Sequence, residues 1–294
     1  MKHTLKEWVF ATRPWSFPAS AMPTIVTTAW AYAQGYEISW CLAVAAIVNI
    51  VIVHAAGNLW SDYHDYKKGV DTVNTFGVTT LTSGQFTPKE IQRFSVCLQI
   101  VAVVMGLTIV AFTGITLLWI GIAGIALSLL YPPLKYHALG DVVIIFCYAV
   151  LPMIGMSFIA TGEVHWDVLW LAPPVGLITV GILHSNNTRD IETDSEANIT
   201  TFPKLTGRPF AVGLYIAEII VPYVWMLAIC IAGIMPWWTL LVLLSLPIAI
   251  KNVRMISGYR KGIEQYAFLD QSTAQLQLVF SLLLTIGFVV SKLL

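Results

Sequence analysis

Nine apolar stretches, near 15–34, 41–60, 92–112, 115–131, 141–160, 167–187, 210–232, 236–250 and 273–291, take up most of this 294-residue chain. In hydrocarbon every backbone N–H and C=O must find its partner inside the protein, and a helix that does so crosses a bilayer in about 20 residues. The chain therefore reads as an all-α polytopic membrane protein, a single domain over residues 1–294 with about nine spans. Charge agrees: 11% of residues are charged, where a soluble domain carries about 25%. Only Thr113 and Gly114 separate the third stretch from the fourth.

The few cations test this division. Lys2, Lys6 and Arg13 precede the first stretch, and Lys67, Lys68, Lys89 and Arg93 lie between the second and third. Lys135 follows the fourth, Arg189, Lys204 and Arg208 follow the sixth, and Lys251, Arg254, Arg260 and Lys261 follow the eighth. The alternate loops, near 35–40, 113–114, 161–166 and 233–235, hold no Lys or Arg, and only Lys292 breaks the alternation. Basic loops stay cytoplasmic. The N-terminus and the long connections 61–91 and 188–209 are thus expected on the cytoplasmic face of the inner membrane. Connections of that length often serve as lids.

Other classes are excluded by composition. The formal net charge is zero, and no basic stripe with interleaved aromatics is present, so no nucleic-acid partner is expected. Cys41, Cys97, Cys147 and Cys230 stand singly in apolar runs, with no CxxC pair and no HExxH helix, which argues against zinc or a redox dithiol. Pro14, Pro18 and Pro23 interrupt the first stretch and argue against a cleaved signal peptide.

Two acidic clusters stand out at the ends of apolar stretches: Asn58-Leu-Trp-Ser-Asp62-Tyr-His-Asp65-Tyr-Lys67-Lys68-Gly69-Val-Asp71 and Asn186-Asn187-Thr-Arg189-Asp190-Ile-Glu192-Thr-Asp194. Ionisable groups beside a bilayer are costly and usually functional. If the second span stays helical, Asn58, Asp62 and Asp65 fall at i, i+4 and i+7, one helix face; Asn186, Asp190 and Asp194 fall at i, i+4 and i+8. Gly69 permits a turn that would fold Asp71 back. Single residues such as Asp71 or Glu192 also read as solvated loop charges, and a helix-terminal Asp as a cap.

Converging carboxylates repel unless a cation sits between them. Asp and Asn oxygens without Cys favour Mg²⁺, with Mn²⁺ as a second choice. Mg²⁺ prefers one or two carboxylates plus substrate phosphates. Two clusters thus suggest two ions bridging a diphosphate, with Lys67, Lys68, Lys135, Arg189, Lys204 and Arg208 near its free oxygens. His184, one turn before the second cluster, is a candidate acceptor contact or a packing residue; Asp141 is a candidate cap for the fifth span.

These residues resemble the UbiA superfamily of intramembrane aromatic prenyltransferases, whose motifs are roughly NDxxDxxxD and DxxxD. Within it they most resemble the 1,4-dihydroxy-2-naphthoate branch, which makes menaquinone precursors. Arg13-Pro14, Thr82-Ser-Gly84, Tyr131-Pro-Pro-Leu-Lys135, Leu139-Gly-Asp141 and Thr273-Ala-Gln-Leu-Gln277 extend the resemblance along nearly the whole chain. It implies nine helices around a central cavity capped by cytoplasmic loops, and Mg²⁺-dependent transfer of a polyprenyl group from a polyprenyl diphosphate. It assigns Asn58, Asp62, Asp65 and Asp71 to one metal region and Asn187, Asp190 and Asp194 to the other. Asp62, Asp65, Asp190 and Asp194 would be catalytic, and Lys135 matches the lysine that contacts diphosphate; by their places beside the clusters, Arg189, Lys67 and Lys68 join it as candidate diphosphate-binding cations, and His184 and Asn186 are candidate acceptor contacts. Ser61 and Gly69 depart from the first motif, Asn198-Ile-Thr-Thr201 lacks the charges usual after the second, and the loop 77–83 lacks the usual Arg.

Two other functions compete. One is prenyl transfer to another ring, such as 4-hydroxybenzoate or a tetrapyrrole. The other is cation-coupled transport, which places ionisable groups near the bilayer midplane, often in inverted repeats; here Glu218 is the only acidic residue deep in a predicted span, and the two clusters share one side, so any repeat is parallel.

Overall fold

The computed structural model describes residues 3–72, 76 and 80–294. Positions 77–79 of the loop 77–83 lie outside the described residues. The chain forms α1 (Leu5–Ala11), α2 (Pro18–Ala33), α3 (Trp40–Lys68), α4 (Pro88–Thr113), α5 (Ile115–Lys135), α6 (Gly140–Ile145), α7 (Leu151–Thr161), α8 (Ala172–Arg189), α9 (Ile191–Glu196), α10 (Phe202–Thr206), α11 (Arg208–Ile231), α12 (Leu246–Ser257) and α13 (Leu269–Leu293). Short 3-10 segments lead into α8, α12 and α13, and a π-helical turn, Phe146–Val150, joins α6 to α7. Among the described residues eight helical segments reach the length and apolarity of a membrane crossing. The ninth expected span, 15–34, is α2, only 16 residues long and largely buried.

Local chemistry sets the boundaries. The hydroxyls of Thr4 and Thr87 accept from the backbone N–H of Glu7 and Glu90, whose carboxylates accept from the threonine N–H in return. These capping boxes satisfy otherwise orphaned donors at the starts of α1 and α4. α3 runs on to Lys68, so residues 61–68 of the connection expected at 61–91 are helix. Gly69 then ends it at φ +77, its N–H bonding back to Asp65 and Tyr66. That left-handed cap suits glycine. α4 and α5 meet at Gly114 alone, at φ +119.

The π turn has an identifiable cause. Pro152 has no N–H to offer the carbonyl of Tyr148, and a proline ring clashes with the carbonyl four residues back. A wider turn relieves the clash, and the N–H of Leu151 reaches back to Phe146. Such turns rotate the side chains that follow into new directions.

Packing places the core on one side of the bundle. α13 lies against α2, α8 and the 3-10 segment Trp237–Ser245, while α8 packs on α11 and α3 on α4. The main core is built from Val26, Trp30, Met153, Ile178, Tyr215 and Phe280. A smaller cluster, Leu59, Tyr63, Leu81, Phe86 and Ile91, fastens α1 and the 80–86 loop to the end of α3. Val104, Phe112, Trp119, Val224 and Ile231 are exposed, as suits helices facing lipid.

The tightest approach is at Gly287, where a Cβ would lie 2.4 Å from the carbonyl oxygen of Trp238 and 2.8 Å from Cα of Thr239. Small residues let membrane helices approach closely. We predict that Gly287→Ala lowers thermal stability in detergent by about 1–3 kcal/mol of overpacking, whereas Gly213→Ala, with nothing within 4 Å of its Cβ position, leaves the melting temperature near that of the unsubstituted protein.

Candidate active site

Three helices end together at one pole of the bundle. α3 delivers Asp62 and Asp65 in its last turns, α5 ends on Lys135, and α8 ends on Arg189. Asp65 is buried and accepts from three side chains: Lys135 Nζ at 3.0 Å, the Tyr136 hydroxyl at 2.8 Å and the Ser61 hydroxyl at 3.1 Å. Asp62, also buried, pairs with the guanidinium of Arg13. Arg13 has a left-handed backbone, φ 59, that is uncommon outside glycine. Past Gly69 the chain turns so that the Asp71 N–H lies 3.4 Å from the Asp65 carbonyl oxygen. Burial, with the nearby Asp65 charge, raises the Asp71 carboxyl above its ordinary range.

The second cluster is bent. The backbone departs from helical angles at Asp190, φ −94 and ψ 14, where α8 stops before α9 begins. Asn186, Asp190 and Asp194 therefore do not share one continuous helix face. Arg189 grips Asp190 through two bonds of 2.7 Å and donates to the Ala267 carbonyl at 2.9 Å. Its guanidinium lies over the Phe76 ring, 5.0 Å from the centroid. Asp194 is buried and accepts from the Thr201 hydroxyl at 2.9 Å. Burial pushes its carboxyl up to about 6, against the lowering effect of that hydrogen bond.

A cavity of about 1280 Å³ joins the clusters. Asp65, Asp71, Lys135, Arg189, Asp190 and Asp194 line its polar end, together with Asn58, Asn186 and Asn187. Leu107, Leu118, Ile122 and Ile125 line an apolar part between α4 and α5. Asp62 is not among the lining residues; Arg13, which pairs with it, is. The Asn58 amide donates to the Thr12 carbonyl at 3.0 Å and to the Ser16 hydroxyl at 3.1 Å, so its own carbonyl is what a metal would meet. The Asn186 carbonyl oxygen is buried without a partner.

Several expected residues stand apart from the cavity. Lys67 and Lys68 are exposed, and Lys67 Nζ sits 5.0 Å from the Tyr63 ring centroid. Lys204 donates to the Ile199 carbonyl at 2.5 Å, and Arg208 pairs with Glu192 at 2.6 Å. His184 does not line the cavity. Its Nδ1 lies 3.3 Å from both Asp141 and Glu218, and its Nε2 bonds the Ala211 carbonyl at 3.1 Å. Asp141 faces this histidine instead of capping α6, whose N-cap position is Leu139. Arg13, Tyr136 and Thr201 were not singled out as site residues by sequence reasoning. Only Arg13-Pro14 carried a signal, as part of the family resemblance.

Among the described residues no group of three His, Cys, Asp or Glu side chains forms a ready metal cage. The oxygen-only donor set, split between two clusters and already facing three cations, fits a hard divalent ion completed by phosphate oxygens. Asn58, Asp65 and Asp71 on one side, and Asn187, Asp190 and Asp194 on the other, could hold such ions.

Comparison with known proteins follows the same line. The UbiA prenyltransferase family matches residues 20–290. The chain is 32% identical over 298 residues to the UbiA prenyltransferase domain-containing protein 1 of Xenopus tropicalis, covering 99% of this chain and 84% of that one. It is 28% identical to the 1,4-dihydroxy-2-naphthoate octaprenyltransferase of Bacillus subtilis (strain 168), covering 95% and 91%. Its fold is similar to that of a UbiA homolog from Archaeoglobus fulgidus bound to GPP and Mg²⁺, with a TM-score of 0.65, 12% identity and coverage of 98% and 100%. The chain belongs to the UbiA prenyltransferase family and is a transferase enzyme.

Proposed function

We propose that this protein transfers a polyprenyl group from its diphosphate to 1,4-dihydroxy-2-naphthoate, with loss of CO₂, giving the hydroquinone (demethylmenaquinol) form of a menaquinone precursor. The observation that carries the reading is one continuous cavity with carboxylates and cations at one end and an apolar wall leading away from them. A prenyl diphosphate has that same division. The naphthoate assignment draws support from the Bacillus subtilis relative and from the placement of Asp71 after Gly69. The basic-loop alternation supports a cytoplasmic N-terminus and a site facing the cytoplasm, in the inner membrane.

Mg²⁺, bound in two places, would supply electrostatic stabilisation of the leaving diphosphate. The chain's own residues do the rest. Asp65, Asp190 and Asp194 serve as the catalytic carboxylates at the cavity wall, and Asp62, behind that wall, acts through the Arg13 guanidinium it pairs with. Lys135 and Arg189 present cations to the diphosphate oxygens from opposite sides, and Arg13 holds Asp62 beside them. The apolar wall keeps water away from the allylic carbon as its bond to oxygen breaks. Leu107 and Ile122 line the cavity and are exposed, and a gap between α4 and α5 at these residues would give a prenyl tail a route to lipid. Cation-coupled transport finds less support, because Glu218 is held by His184 away from the cavity.

The test is product mass from purified protein given Mg²⁺, a series of prenyl diphosphates and each candidate acceptor. Asp62→Ala and Asp190→Ala should abolish turnover while expression persists; near-normal activity in either variant would sink the assignment. Asp194 gives a prediction of opposite sign for stability. Its folded carboxyl titrates near 6, above its ordinary 3.8. Its contribution to folding is thus present below the ordinary value and lost as pH rises through about 6. In EDTA at neutral pH, Asp194→Asn should melt higher than the unsubstituted protein, and it should lose the part of the pH slope between 3.8 and about 6 that this carboxyl contributes. With Mg²⁺ and substrates the same variant should be severely impaired.

A further inference from the structure

One turn before Asn58 on the cavity side of α3, His54 forms the centre of a second polar patch that the diphosphate end does not require. His54, Ser16, Ser20 and Tyr148 all line the cavity. His54 Nδ1 lies 2.9 Å from the Ser20 hydroxyl, and Nε2 lies 3.4 Å from the Ser16 hydroxyl. Both hydroxyls already give their protons to backbone carbonyls, Ser20 to Phe17 at 3.1 Å and Ser16 to Arg13 at 2.8 Å. Ser16 also accepts from the Asn58 amide at 3.1 Å. Ser20 can therefore only accept from the ring, which assigns the proton to Nδ1 by the logic of the network. Nε2 is left with a lone pair and no donor.

The π turn completes the patch. It brings Cys147 and Tyr148 to the cavity wall, with the Tyr148 ring edge-on to His54, centroids 4.8 Å apart at 77°. A prenyl tail has no use for a buried imidazole beside two hydroxyls, since polar groups in an apolar wall cost free energy unless they are paired. A flat ring bearing hydroxyl groups fits it: Tyr148 offers an aromatic edge and His54 an acceptor for an O–H. At 1.5 Å per residue the patch lies about 12 Å along α3 from Asp62, which leaves room for a diphosphate and its reacting carbon in between.

We propose that His54 Nε2 is the base that binds and deprotonates the hydroxyl of a phenolic or naphtholic acceptor. The proposal rests on the prenyl-transfer reading. As the allylic C–O bond breaks, its electron pair leaves with the diphosphate. A ring carbon forms the new C–C bond with its π pair, the O–H pair moves into the ring to make a C=O, and the proton goes to Nε2. Loss of a ring proton, or of a carboxyl group as CO₂ after its own proton is gone, restores the aromatic sextet. The carbonyl oxygen then takes back the proton from Nε2, and the displaced ring or carboxyl proton leaves with the diphosphate.

The test uses the full chain in nanodiscs with Mg²⁺, geranyl diphosphate, and 1,4-dihydroxy-2-naphthoate or either of its monomethyl ethers. The unsubstituted protein should discriminate strongly against the ether methylated at the hydroxyl that meets His54, which has no proton to give at that position. His54→Asn keeps a donor for Ser20 and removes the base. It should bind geranyl diphosphate normally, lose roughly 10²–10⁴ in kcat on the dihydroxy acceptor, and lose its discrimination between that acceptor and the ether. His54→Gln places an amide oxygen near the Nε2 position, so the acceptor KM should recover while kcat does not. Diphosphate binding reports on folding in each variant, and if His54→Asn does not fold, the KM-against-kcat split in His54→Gln decides alone. Retained kcat and discrimination in a variant that binds donor overturns the base without touching prenyl transfer. Absence of any prenylated product from the unsubstituted protein overturns prenyl transfer and the base together.

Discussion

The cost of gathering carboxylates at the edge of a bilayer governs this architecture. Asp62, Asp65 and Asp194 are buried, and an unpaired buried charge costs several kcal/mol. Asp62, Asp65 and Asp194 are answered from elsewhere in the chain, by Arg13 from the segment before α2, by Lys135 and Tyr136 from the end of α5 and by Thr201 from the loop after α9, while Asp190 is gripped by its own neighbour Arg189. The helices must end where they do for these groups to meet. Gly69, the α5 terminus after Pro132-Pro133 and the break at Asp190 are thus parts of one electrostatic arrangement. A divalent ion with a diphosphate is the ligand class that suits it, because it adds charge of both signs to a site that already carries both.

The rest of the bundle serves to hold that pole still and to shape what lies beneath it. His184, tied to Asp141, Glu218 and a backbone carbonyl, fastens α6, α8 and α11 just behind the second cluster. The close approach at Gly287 fixes α13, whose first turn brings Asp270 within 3.7 Å of Arg189. The π turn ahead of Pro152 brings Cys147 and Tyr148 of the segment Gly140–Thr161 to the cavity, so a local backbone conflict becomes a feature of the cavity wall.

Much of the fold was legible because the bilayer is a strict solvent. Apolar length marked the helical segments, and the first cluster's spacing placed Asn58, Asp62 and Asp65 on one helix that does continue through Lys68. The same reasoning failed at the second cluster, where the i, i+4, i+8 spacing assumed a helix that bends at Asp190. It also failed for Lys67 and Lys68, since proximity in sequence to an aspartate says nothing about which side of a helix a lysine takes. They follow Asp65 by two and three residues and point to the exposed surface. Arg13 is the converse case, 49 residues from the Asp62 it pairs with.

What the sequence alone determined is what depends on solvent transfer and local spacing: a helical membrane bundle, two acidic clusters, and hard oxygen ligands suited to a metal and a diphosphate. What only the tertiary structure decided is pairing over distance. It chose Arg13, Tyr136 and Thr201 as the partners of the carboxylates, set His184 outside the cavity, and set His54 on its wall. Those outcomes follow from how helices pack and where their ends meet, and a contact between residues tens of positions apart leaves no periodic trace in a single chain.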